Sequence, residues 1–150
     1  MSAVSDLTAH TGYWMRMISN AVSQDFARRM AGEGVTVAEW VFMRALHDEP
    51  SLSPTLLATR MGMTKGAISK LADRLVEKGL VTRAEDAKDR RAHHLALSAE
   101  GRAKVPQLAA LADANDAEAF GVLSADDRAE LDRLLKLLVE RRGLSAVPID

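Results

Sequence analysis

The chain has 150 residues, 47% hydrophobic and 27% charged, with a formal net charge of −1. That is the length of one domain, two at most, with enough apolar material for a core needing neither disulfide nor metal. No apolar run nears the roughly 18 residues of a membrane span, the N-terminus lacks the basic flank and apolar stretch of a secretion signal, and the absence of cysteine excludes disulfide scaffolds, thiol nucleophiles and thiolate metal sites, making a reducing cytoplasm the expected location.

In chain order, helices dominate. A first helix is expected from about Leu7 to Met30, where Leu7, Thr11, Trp14, Ile18, Ala21, Val22 and Phe26 recur at helical spacing. Gly32 and Gly34 stop it. A second helix opens with Thr36-Val37-Ala38-Glu39, a capping box flanked by the staple pair Val35 and Trp40, and ends near His47, before Pro50. Ser53-Pro54 starts a third helix, which Gly62 stops. Thr64 caps a fourth, which Gly79 stops.

Residues 80–97 change character. Leu95 and Leu97 alternate with Ala96, and a charged, turn-prone stretch separates Arg83 from Arg90, so a hairpin is expected. Ser98 caps a fifth helix, which Pro106 should interrupt and kink. Ser124 caps a sixth, with Asp126 and Asp127 in its first turn and Leu131, Leu134, Leu135 and Leu138 on one face.

The net charge of −1 hides an asymmetry. Residues 60–104 carry 11 Lys and Arg against 6 Asp and Glu, a net of +5, whereas the remainder is −6. A basic segment inside an acidic chain points to a localised anion-binding surface.

Helices three and four, joined by Met61-Gly62-Met63, fit a helix-turn-helix. At 100° per residue, Ile68, Leu71, Ala72 and Leu75 form a core stripe on helix four. Gly66, Ser69, Lys70, Asp73 and Glu77 fall opposite, with Arg74 on the flank. The first two turns suit the major groove: Thr64 and Lys65 open the helix, Gly66 lets the backbone approach, and Lys65, Ser69 and Lys70 donate to bases or phosphates. The acids further along would repel DNA unless paired with arginines elsewhere in the protein. The hairpin tip Lys88-Asp89-Arg90-Arg91 sets three cations within four residues, suited to phosphate or a narrow minor groove. A plain amphipathic helix and a solvated turn are the bland readings of each feature alone. Their order and spacing favour a winged helix that binds double-stranded DNA.

The stretch Ala67–Val81 resembles the recognition helix, and Leu80–Arg91 with Leu97-Ser98-Ala99-Glu100-Gly101 the wing signature, of MarR-family transcription regulators. Ala87 and Ser98 stand where that family often has proline and threonine. The resemblance implies a mainly α fold with a small β-hairpin wing: residues 1–35 as the N-terminal dimerisation helix, 36–98 as the winged helix-turn-helix, and 99–150 as C-terminal dimerisation helices. It implies a homodimeric, ligand-responsive regulator, a repressor on a pseudo-palindromic operator. Independently, helix six offers more leucine than one lobe can cover, and two-fold homodimers are the commonest oligomers. In the family an acid of the recognition helix holds the wing through an arginine. Asp73 matches that acid, Arg83 or Arg91 is the candidate partner, and Asp89 joins the group.

The resemblance also implies a pocket for a small aromatic or phenolic effector. Tyr13, Trp14 and Met17 on helix one, with Trp40, Met43 and Arg44 on helix two, are the candidate lining, although core packing is the simpler expectation for each singly, Trp14 and Trp40 above all. His93 and His94 are adjacent on a strand and point to opposite faces, so they do not converge on one metal. The family's metal-sensing and peroxide-sensing residue sets are not found. No phosphate loop, nucleophile elbow or HExxH motif supports catalysis, and no cofactor is implied. The alternatives to a DNA-binding regulator are a winged-helix module that docks an acidic protein and a small-molecule carrier without DNA binding.

Overall fold

The computed structural model describes residues 3–85, 88 and 93–149. Its elements are a 3-10 turn (Leu7–Ala9), α1 (Thr11–Gly32), α2 (Val37–His47), α3 (Pro54–Met61), α4 (Lys65–Glu77), β1 (Val81–Glu85), β2 (His93–Leu97), α5 (Ala99–Phe120) and α6 (Ala125–Arg141). The strands pair antiparallel, Val81 opposite Leu97 and Glu85 opposite His93. Leu95 and Leu52 exchange two backbone hydrogen bonds of 2.8 Å, which fasten the hairpin to the α2–α3 connection.

The helix starts follow from local chemistry. The Thr36 hydroxyl accepts from the Glu39 N–H at 3.1 Å while the Glu39 carboxylate accepts from the Thr36 N–H at 2.8 Å, the reciprocal capping box. Ser53, Thr64, Ser98 and Ser124 each accept the N–H three residues on, at 3.0–3.2 Å, a bond that typically stabilises a helix by about 1 kcal/mol. Gly62 and Gly79 follow α3 and α4 with φ of +64° and +75°, a conformation disfavoured once a Cβ is present.

The core lies within α2 to β2. Phe42, Met43 and Leu46 of α2, Leu57 and Met61 of α3, Ile68, Leu71 and Leu75 of α4, and Leu95 and Leu97 of β2 are buried, joined by Met30 of α1 and Val105 and Leu108 of α5. By contrast, α6 has no buried residue, and α1 has only Met30. The α5–α6 hairpin is held by Arg128, which donates to Asp116 at 2.6 Å and lies 4.9 Å over the Phe120 ring. Among the described residues no helix is long and apolar enough to cross a membrane.

Three expectations are corrected. The first helix does not begin at Leu7: the chain makes a separate turn, His10 is extended, and α1 starts at Thr11. The Trp14 indole N–H donates to the Thr8 carbonyl at 3.0 Å and packs edge-on to Tyr13 at 5.1 Å, pinning that turn against α1. Trp14 is therefore not core; it is 51% exposed. Finally, Pro106 does not interrupt α5, which runs from Ala99 to Phe120: a missing N–H removes one rung without ending the ladder.

Candidate nucleic-acid interface

The two faces of α4 separate as its spacing predicts. Ile68, Leu71, Ala72 and Leu75 are buried, and Thr64, Lys65, Gly66, Ser69, Lys70, Asp73 and Arg74 are exposed. The capped N-terminus sets the positive end of the helix dipole beside Lys65, so anions are attracted there by charge and dipole together.

Of the two acids on this face one is paired: Glu77, at the C-terminal end of α4, is exposed and forms no ion pair with a described residue, whereas Asp73 is held. Arg83 Nη2 of β1 donates to Asp73 Oδ1 at 2.9 Å. Of the two arginines considered for Asp73, the structure brings Arg83 to it. Asp89, Arg90 and Arg91 lie outside the described residues, and Lys88 is exposed at the tip.

Packing sorts the basic segment into two sets. Arg60 meets Glu49 at 3.4 Å, Lys78 meets Glu39 at 2.9 Å, and Lys104 meets Glu33 at 3.2 Å. The Arg102 guanidinium donates to the His47 and Glu49 carbonyls at 3.3 and 3.2 Å. These cations, with Arg83, hold the lobe together. Lys65, Lys70 and Arg74 form no ion pair with a described residue and remain available to an external polyanion.

Sequence reasoning missed the junction behind α4. The Ser98 hydroxyl donates to the Gly79 carbonyl at 2.7 Å, and the Ser98 N–H donates to the Leu80 carbonyl at 3.0 Å. Gly101 lies so close to Leu80 that a Cβ would stand 2.1 Å from its carbonyl oxygen. A glycine in the first turn of a capped helix was the available signal. Glu39, identified only as a cap, is fully buried. Burial pushes its carboxyl up, but bonds from Lys78 and the Thr36 N–H outweigh this and hold it below the usual range.

The six residues considered for an effector pocket do not converge. Tyr13 and Met17 line an open cleft of about 610 Å³ on α1 with Leu7, His10 and Arg16. Trp40 lines another, about 330 Å³, with Val22, Phe26, Val41, Ala112 and Asn115. Met43 is wholly buried, Trp14 makes the turn contact described above, and Arg44 bonds Asp48 at 2.9 Å on the surface. Arg44 is bound one turn along its own helix and lies in neither lining. His93 and His94 face Glu85 and Ala84 across the ladder; the His93 Nδ1 is buried without a hydrogen-bond partner among the described residues.

Known proteins share this architecture. The sequence model of the MarR family matches residues 33–92. The chain is 27% identical to the HTH-type transcriptional repressor MdtR of Bacillus subtilis, over 99% of this chain and 86% of that protein. A mutant of MarR from Escherichia coli complexed with operator DNA superposes with a TM-score of 0.74 at 25% identity, covering 85% of this chain and 92% of that one. Bordetella bronchiseptica BpsR, a protein whose DNA binding is regulated by 6-hydroxynicotinic acid, superposes with a TM-score of 0.75 at 21% identity, covering 91% and 97%.

Proposed function

The chain belongs to the MarR family of DNA-binding transcriptional regulators, and from that premise we propose that it is a homodimeric, ligand-responsive repressor acting in the cytoplasm. Residues 36–98 form the reading lobe, and 1–35 with 99–150 form the dimerisation region. The carrying observation is the surface of α4: Lys65, Lys70 and Arg74 face outward while Asp73, the acid among them, is taken by Arg83. Lys88, Arg90 and Arg91, which the sequence places in the wing, are the further phosphate contacts of this reading.

Dimerisation accounts for the uncovered apolar faces. Trp14, Met15 and Ile18 of α1 and Leu134, Leu138 and Val139 of α6 are each about half exposed. Burying them against a second copy removes an aggregation hazard and sets two copies of α4 toward successive major grooves, about 34–36 Å apart. The effector is a small aromatic acid or phenol that binds without covalent chemistry, since the chain has no cysteine; the regulation of BpsR by 6-hydroxynicotinic acid supports this class. Its differential affinity for two lobe spacings would weaken operator binding.

The test is a gel shift on the DNA upstream of the protein's own coding sequence, across a salt series. Arg90→Ala should weaken binding to every sequence and lower the salt slope by about one, whereas Lys70→Ala should relax sequence preference. Binding that is absent, or indifferent to salt, refutes the reading.

A further inference from the structure

The C-terminus of α4 is held from two sides, by the α1–α2 segment and by the start of α5. Lys78, its C-cap, donates from Nζ to the Gly34 carbonyl at 2.8 Å and to Glu39 Oε1 at 2.9 Å. Gly34 follows the end of α1, and Glu39 lies in the first turn of α2. From the other side, Ser98 at the start of α5 donates to the carbonyls of Gly79 and Leu80, and Gly101 packs closely against the Leu80 backbone.

This lysine is bound as few surface lysines are. Glu39 is fully buried, its Oε1 serves both Thr36 and Lys78, and its Oε2 has no hydrogen-bond partner among the described residues. A buried carboxylate satisfied on one oxygen is costly without a held cation, so Lys78 is committed to one geometry. The lever beyond it is long: α4 extends about 20 Å, so a tilt of about 3° at Lys78 moves Lys65 by about 1 Å.

We propose that Lys78 is a positioning residue: by tying the end of α4 to Gly34 and Glu39, it fixes the aim of the recognition helix relative to α1, and so the half-site spacing at which a dimer reads DNA. The proposal rests on the dimeric DNA-binding reading above.

The experiment takes the duplex that the unaltered protein selects from a random-sequence library. Variants of that duplex gain or lose one base pair between the half-sites, and titrations are repeated across a salt series. Lys78→Met should bind the selected duplex about tenfold more weakly, the scale of one mismatched base pair. It should lose much of the spacing preference yet keep its salt slope. Lys78→Arg should restore the preference, because a guanidinium can donate to both acceptors. Glu39→Gln, which keeps an acceptor for Thr36, should shift the profile the same way by less, and it decides the matter if Lys78→Met does not fold. A salt slope reduced by about one would make Lys78 a phosphate contact and overturn the proposal. So would an unchanged spacing profile with equal losses on selected and random duplexes, which marks plain support of the fold. If the unaltered protein selects no duplex with two half-sites, the dimeric DNA reading itself fails, and this proposal with it.

Discussion

Gly101 and Leu80 are in closer approach than any side chain permits: a Cβ at position 101 would lie 2.1 Å from the Leu80 carbonyl oxygen. The contact joins the start of α5 to the segment that leaves the recognition helix for the wing. Both groups in it belong to the backbone, so neither can swing aside as a flexible side chain would.

Two glycine substitutions should therefore behave oppositely. Gly101→Ala should lower the melting temperature, with a loss of about 1–3 kcal/mol typical of overpacking. Gly66 is open, with the nearest atom 4.0 Å from a built Cβ, so Gly66→Ala should gain about 0.5–1 kcal/mol from helix propensity. If α4 enters the groove, the same substitution should weaken operator binding. Thermal denaturation and DNA titration of both variants separate the two effects.

The Asp73–Arg83 pair should matter for affinity more than for stability. Its side chains are 67% and 33% exposed, and such pairs contribute at most about 1 kcal/mol to folding. Arg83→Ala leaves Asp73 uncompensated on a face meant for phosphate. Affinity should fall about two- to fivefold, the Coulomb energy of one charge near a phosphate in water. Adding Asp73→Ala should recover part of the loss. A double variant no better than Arg83→Ala would show that the arginine acts through the wing rather than by screening the acid.

Glu39 gives the fold a defined acid sensitivity. Its folded-state pKa lies below the ordinary carboxylate value despite burial, because Lys78 and the Thr36 N–H favour the ionised form. The stabilisation is therefore present above the unfolded carboxylate pKa, about 4.3. It is lost as pH falls through that value and then the lower folded one. Melting temperatures between pH 6 and pH 3 should drop more steeply for the unaltered protein than for Glu39→Gln, the gap between them closing at the acid end. A constant gap would remove Glu39 as the source.

The exposed leucines of α6 should carry the dimer. Leu138, 49% exposed in the single chain, sits where a glutamate would leave one lobe's fold intact. Leu138→Glu should sediment as a monomer with an unchanged helical circular dichroism spectrum, and its specific DNA affinity should fall by several orders of magnitude as avidity is lost. A variant that remains dimeric would place the interface elsewhere.

What could be read from the sequence was what neighbours along the chain determine. The caps at Thr36, Ser53, Thr64, Ser98 and Ser124 involve residues three apart, and the buried stripe of α4 follows from helical periodicity. These fix the order of elements, the helix-turn-helix and its outward face. What a residue meets across the fold was not readable. Trp14 and Trp40 looked alike as core candidates, yet the first lies half exposed against a turn and the second is buried. The basic segment looked like one reservoir of charge, but pairing with Glu33, Glu39, Glu49 and Asp73 and capping of two carbonyls assign five cations to the fold, leaving Lys65, Lys70 and Arg74 facing out from α4. Sequence fixes how many charges a segment carries. Only the three-dimensional arrangement brings partners ten or more residues apart within hydrogen-bond distance, and so decides which charges are already used.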